Sequence, residues 1–238
     1  MAGRSLFVAG LQTAGVPGDP AATLEQFEER VRSLRELFDG LELVVAPELH
    51  LMAIPPLLEK EAPLETLAVD VPGELTERLG ALARETGLWL IPGSVYERAG
   101  DGVANTAVVL SPGGELIASY RKCFPWQPYE TTQPGTRTVC FDIDGVGRFG
   151  LAICHDGAFP EVFRSLAWQG AEAIFQVTLT GTSDRDAEVV TAVLDLDAVA
   201  RVRDRGSFGL NRLWEEMDRV GPTLELPMYD GRYRPRPR

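Results

Sequence analysis

Short apolar runs alternate with amphipathic stretches along most of the chain, and that alternation constrains the fold more than any other feature. "SLFVAGL" at 5–11 has the length and continuous apolar character of a buried strand. In "TLEQFEERVRSLRELF", Leu24, Phe27, Val31, Leu34 and Leu37 recur on one helical face. Thr23 with Gln26 matches a capping box there, and Gly40 closes the segment. "LELVVAPE" at 41–48 reads as a second buried strand, stopped by Pro47. A proline-containing stretch from Ile54 to Pro72 leads into "GELTERLGALARETG", a helix with Leu75, Leu79 and Leu82 on one face that ends at Gly87. "LWLIPGSVYE" reads as a third strand. "NTAVVLSPGGELIASYRK" and "TVCFDIDGVGRFGLAIC" read as hairpins, the second turning near Gly145 to Gly147. "PEVFRSLAWQ" at 160–169 is a helix with proline in its first turn, and "AEAIFQVTL" is a further strand. Helices and strands in alternation, with hairpins inserted, predict an α/β fold with mixed sheets packed by helices. There is no internal repeat, and the chain reads as one domain over 1–238 with an extended basic, proline-rich tail over about 220–238.

Composition narrows the function. The formal charge of −12 argues against a general nucleic-acid binder, which needs a basic face, and against binding to anionic membranes. No apolar stretch reaches bilayer-spanning length, and "MAGRSLFVAGLQTAG" reads as the approach to a first strand, not as a signal peptide. Cys123, Cys140 and Cys154 form an odd, sparse set, unlike a disulfide framework and consistent with a reducing cytoplasm. His50 and His155 are the only histidines, and no Cys or His pair sits at zinc spacing, so neither a metal nor a cofactor is expected. "GVGRFG" at 145–150 fits G-x-G-x-x-G, but an apolar strand follows it where a dinucleotide site needs a helix. Its glycines fit a hairpin turn better.

Three reactive groups each end an apolar strand: Glu48 after "LVVAP", Lys122 after "LIASYR" and Cys154 after "FGLAI". Active sites of open α/β sheets gather at strand ends, where a rigid scaffold holds them. Taken singly, each is ordinary: a solvated glutamate, a solvated lysine, a packed cysteine. Together, "APELHL", "YRKCFPWQPYE" and "ICHDGAFPEVFR" resemble, in this order, the motifs of the carbon–nitrogen hydrolase family, also called the nitrilase superfamily. The second motif, and C-H-D-G in place of the C-W-E of true nitrilases, is similar to the aliphatic amidase and formamidase branch. The resemblance covers about residues 5 to 180.

That resemblance implies an α-β-β-α sandwich and a Glu48–Lys122–Cys154 triad, with Glu130 as a further glutamate of the site. It implies hydrolysis of a small amide to an acid and ammonia through a thioester on Cys154, with Glu48 as base. Lys122 and the backbone N–H of His155 would stabilise the oxyanion, and Asp156 and Arg164 would support the site. It also implies pairing into homodimers or higher oligomers through helices. The same fold acting on nitriles or N-carbamoyl compounds, and an inactive remnant or binding protein, remain open alternatives. Cys123 and Cys140 read as packing residues.

The resemblance falters late in the chain. Val190 runs directly into Thr191, where a helix and two or more strands are expected, on the order of forty residues from typical element lengths. "TAVLDLD" then reads as a late strand and "AVARVRDRG" as a late helix. A portion missing there would leave apolar surface and open sheet edges exposed.

Overall fold

The computed structural model describes residues 3–53, 64–178 and 188–206, so the expected tail over 220–238 lies outside the described residues. Ten strands and five helices follow in the order β1 (Ser5–Gln12), α1 (Pro20–Leu37), β2 (Leu43–Val45), α2 (Leu64–Leu67), α3 (Glu74–Thr86), β3 (Trp89–Ile91), β4 (Ser94–Ala99), β5 (Gly102–Leu110), β6 (Leu116–Arg121), β7 (Cys140–Ile143), β8 (Gly147–Ile153), α4 (Pro160–Trp168), β9 (Ala173–Val177), β10 (Glu188–Asp195) and α5 (Leu196–Arg205).

The strands form a 7-stranded sheet, ordered β10-β1-β2-β3-β5-β4 with β6 also on β5, and a 3-stranded sheet, β7-β8-β9. Both are mixed. β1, β2 and β3 run parallel to one another, and so do β8 and β9. The hairpins β4–β5, β5–β6 and β7–β8 are antiparallel.

Side-chain alternation explains the layering. Along β1, Phe7, Ala9 and Leu11 join a core with Phe27, Val31 and Leu34 of α1 and Leu79, Leu82 and Ala83 of α3. Leu6 and Val8, between them, join a second core facing Phe149, Leu151 and Ile153 of β8 and Phe175 of β9. Val44 and Leu90 face the helices, whereas Leu43 and Ile91 face the other sheet. This is the period of two expected of a pleated strand buried on both faces. A third core sets Val162 and Leu166 of α4 against Ala152. The layers therefore run α1/α3, large sheet, small sheet, α4, the expected α-β-β-α order.

Several local expectations change. Helix α1 begins at Pro20, capped by the Asp19 side chain accepting from Ala22 N at 3.0 Å, not at the expected Thr23 box. Pro20 supplies the helical φ with no N–H to satisfy. Thr23 lies inside the helix, its hydroxyl accepting from Val16 N at 2.8 Å. The expected strand "LWLIPGSVYE" splits at Pro92-Gly93 into β3 and β4, and β4 turns back onto β5. Gly93 has φ +87 and lies so close to Pro47 O that a Cβ there would sit 1.8 Å from it. The late strand begins at Glu188 rather than Thr191. Val190 and Thr191 are consecutive rungs of β10, antiparallel to Gly10 and Ala9 of β1. Valines suit that ladder, which explains the longer strand. Within "GVGRFG", Gly145 takes the turn at φ +75 and β8 follows, as expected of a hairpin.

Candidate active site

Glu48, Lys122 and Glu130 meet in one buried ion cluster. Glu48 lies three residues after the end of β2 and is 3% exposed, and Lys122 leaves β6 directly and is 1% exposed. Lys122 Nζ donates to Glu48 Oε1 at 2.9 Å and to Glu130 Oε2 at 2.6 Å. Burial opposes the Lys122 ammonium, but the charges of Glu48 and Glu130 outweigh it and hold the group above its usual value. Burial likewise opposes the Glu130 carboxylate, yet Lys122 and further donors hold that carboxyl below its usual range. Those donors are Trp126 N at 3.0 Å and Asn105 Nδ2 at 2.9 Å; Thr132 Oγ1 also donates to the carboxylate at 3.0 Å. Glu48 is bonded on one side only. Its Oε1 also accepts from Asn105 Nδ2 at 2.9 Å, whereas its buried Oε2 accepts nothing from the described residues.

The chain reaches this geometry through backbone contacts. Lys122 N donates to Asn105 O at 2.8 Å, and Gly135 N to Lys122 O at 2.8 Å, which folds the loop bearing Glu130 back over the β6 end. Gly135 permits this approach, because a Cβ would meet Arg121 O at 2.1 Å. Glu48 N donates to Thr178 O at 3.1 Å, tying the large sheet to the end of β9.

Cys154 stands at the end of β8, at the head of a 3-10 turn over Cys154–Ala158, with φ +41. A non-glycine residue there is uncommon and points to a position held by its surroundings. Gln176 Nε2 donates to Cys154 O at 2.9 Å. Burial is the main cause that pushes the thiol above its usual value, followed by the charge of Glu48; Thr178 and Lys122 pull the other way. The thiol therefore lies within the electrostatic reach of both other groups.

Asp156 fastens this turn. It is fully buried, and its carboxylate accepts from Ile153 N at 2.9 Å, Tyr120 Oη at 2.8 Å and Phe124 N at 3.0 Å. Burial raises its pKa against these donors. Arg164, expected beside it, is exposed on α4. His155 follows Cys154 with its ring 5.3 Å from Phe159 and 6.3 Å from Trp126. Phe124 stacks on Phe159 at 3.7 Å, so the loop after Lys122 is clamped to the Cys154 turn by aromatic contacts. Cys123 and Cys140 are half-buried, their thiols beside the Arg137 and Leu166 carbonyls, as packing residues would be.

Asn105 is the site residue that sequence reasoning missed. It is fully buried near the start of β5. The available signal was an amide inside the apolar run "VANTAVVL". Among the described residues, no group of three or more His, Cys, Asp or Glu could hold a metal ion, and no helix is long and apolar enough to cross a membrane.

The carbon-nitrogen hydrolase family model matches residues 7–204. A formamidase from Bacillus thuringiensis (strain Al Hakam) is 34% identical over 159 residues, covering 65% of this chain and 46% of the relative. The chain thus spans about half the length of the curated relatives it matches. Among solved structures, Saccharomyces cerevisiae Nit3, a member of branch 10 of the nitrilase superfamily, superposes with a TM-score of 0.72 at 19% identity, covering 84% of this chain and 94% of that one. An amidase from Nesterenkonia sp. gives a TM-score of 0.63 at 25% identity, covering 77% of this chain and 68% of that one.

Proposed function

Since the chain belongs to the carbon–nitrogen hydrolase family, we propose that it hydrolyses the C–N bond of a small amide through an acyl thioester on Cys154. The observation that carries this reading is the asymmetry of Glu48: one oxygen is bonded to Lys122 and Asn105, while the other is buried and open in the surroundings of a thiol. The raised thiol needs such a base, because only a thiolate attacks a carbonyl well.

The Cys154 proton passes to Glu48 as sulfur bonds to the amide carbon. The carbonyl oxygen becomes an oxyanion, stabilised by Lys122 and the backbone N–H of His155, a type of donor worth about 3 kcal/mol of barrier. As the intermediate collapses, the C–N bond breaks, and Glu48 returns its proton to the leaving nitrogen, which departs as ammonia. Water then attacks the thioester, giving its proton to Glu48. Sulfur leaves as thiolate and regains that proton, and the carboxylic acid is released. Glu130, with both oxygens bonded, orients Lys122 and Glu48 and carries no proton in this scheme. Asp156 holds the turn that presents Cys154. The short aromatic loop with Trp126 and Tyr129, ring centroids 4.8 Å apart, favours a small aliphatic or formyl group on the carbonyl. The relatives' names, formamidase and amidase, point the same way.

Ammonia release from formamide, acetamide, small nitriles and N-carbamoyl acids tests the substrate class; the amides are expected to react fastest. Hydroxylamine added to the amide reaction should yield a hydroxamate, and intact-mass analysis should find an acyl group on Cys154. A protein that gives no ammonia, hydroxamate or adduct is a binding remnant, and the hydrolase reading fails.

A further inference from the structure

Both carboxylates of the cluster share one neutral neighbour. The Asn105 amide sends one N–H to Glu48 Oε1 and one to Glu130 Oε1, each at 2.9 Å. That orientation follows from chemistry, since a flipped amide would point its carbonyl oxygen at two carboxylates. The arrangement carries a cost. Asn105 Oδ1 is buried with no partner among the described residues, which a side chain placed only for packing would avoid. The main chain of Asn105 is engaged as well, its carbonyl accepting from Lys122 N at 2.8 Å. One residue of β5 thus holds both the backbone that delivers the ammonium and the two carboxylates that flank it.

The consequence falls on Glu48. Two donors, Lys122 Nζ and Asn105 Nδ2, hold Oε1, and among the described residues no N–H or O–H donor holds Oε2. An ammonium alone is a point charge about which the carboxylate can turn, exchanging its two oxygens. A second donor from a different direction fixes the plane.

We propose that Asn105 is a positioning residue that decides which oxygen of Glu48 serves as the base, pinning Oε1 so that Oε2 is presented to Cys154. This rests on the amide-hydrolase reading for its catalytic consequence but not for its geometric one. Loss of Asn105 leaves the Glu48 carboxylate free to turn and withdraws a donor that favours the charged form of Glu130.

Asn105→Ala and the isosteric Asn105→Asp test this with two measurements. The first is the pH profile of formamide hydrolysis. Asn105→Ala is expected to lower kcat about 30-fold with KM changed less than about threefold, a split that marks a transition-state effect. Its acidic limb moves to higher pH. Asn105→Asp, which adds a third acid, moves that limb further. The second is the rate of Cys154 alkylation by iodoacetamide, followed by intact mass, which needs no turnover. It is expected to fall at neutral pH in both variants. Wild-type protein that releases no ammonia overturns the hydrolase reading, while the alkylation series still decides the role of Asn105. Folded variants with wild-type pH profiles and alkylation rates overturn the proposal. So does loss of folding in both variants while Glu48→Gln stays folded, which makes Asn105 a structural residue only.

Discussion

The strand ends bearing Glu48, Lys122 and Cys154 and the outer strand β10 belong to the same stack of sheets, yet they are held in opposite ways. At the first, buried charges are bonded from several elements at once: β2, β5, β6 and the loop to Glu130 meet within hydrogen-bond distance. At the second, the strand is paired on one side only among the described residues, to β1, with Val190 58% and Val193 66% exposed. Its docking rests on the antiparallel ladder to β1, from Ser5–Asp195 to Gln12–Glu188, with polar clamps near the surface beside it. Arg4 binds Glu172 at 2.9 Å and Asp197 at 2.9 Å, linking the start of β1 to the β8–β9 side and to α5. Buried polar groups cost stability when a partner is lost, so a region built from them tolerates only changes that keep its donors and acceptors paired. An exposed edge has little to lose.

The largest expected effect tests the first half of that contrast at its center. Glu48→Gln keeps an acceptor at Oε1 for Lys122 and Asn105 and places an amide where Oε2 has no donor to oppose it. The variant should fold with a near-native melting temperature and lose activity about a thousandfold, the scale of a general base. A large drop in melting temperature instead would mean that the Glu48 charge holds the fold rather than the chemistry.

Next comes Gly93→Ala. The residue is far from the reacting atoms in sequence, but its positive φ and contact with Pro47 O leave no room for a Cβ. Either Pro47 or the β3–β4 link must move, and Glu48 follows Pro47 directly. The expected loss is about 3 kcal/mol, read by urea denaturation, with activity falling in the molecules that remain folded. An unchanged midpoint would show that this end is less constrained than the contacts imply.

These two sites differ in how far the sequence reveals them. The strand-end positions of Glu48, Lys122 and Cys154 are legible because each ends an apolar run, and the run dictates a strand. Asp156 enters only through the family resemblance, and its bonds to Tyr120 and Phe124 are not legible in the sequence. Asn105 and the break at Pro92-Gly93 were harder to see for a physical reason. A single amide in an apolar strand has meaning only once its cross-strand neighbours are known. A Pro-Gly pair between two apolar runs marks a turn, but not whether the chain continues straight or folds back. The strand order β10-β1-β2-β3-β5-β4 is set by contacts between residues distant in the chain, which periodicity cannot report. Burial of Val44 and exposure of Val190 illustrate the same point: both read as strand valines, and only the neighbouring layers separate them.

A smaller effect appears as pH dependence. His50 is buried two residues after Glu48, and burial, aided by Arg30, pushes its pKa down to about 4. In the unfolded chain the ring titrates near about 6.5. The unfolded state therefore binds more protons between those values, and stability rises with pH across that window. Falling from neutral pH toward 4, the wild type should lose up to about 3 kcal/mol from this group. His50→Gln should flatten the slope of the urea midpoint between pH 6.5 and 4.5, and an unchanged slope would remove His50 from the account.

The smallest effect belongs to the edge. Val193→Thr keeps the β-branched shape that suits β10 and replaces a methyl that is already largely in water. Val193 stands opposite Phe7, on the face of β1 that turns toward α1, yet the helix layer leaves it exposed. Little apolar area therefore changes its contact with solvent, and the melting temperature should shift by less than the equivalent of about 0.5 kcal/mol, with hydrolytic activity unaltered. A loss several times larger would mean that Val193 is covered in solution. The contrast between a buried site bonded from several elements and a lightly held edge would then fail at the edge, and the β10 face would have to be counted as a packed surface.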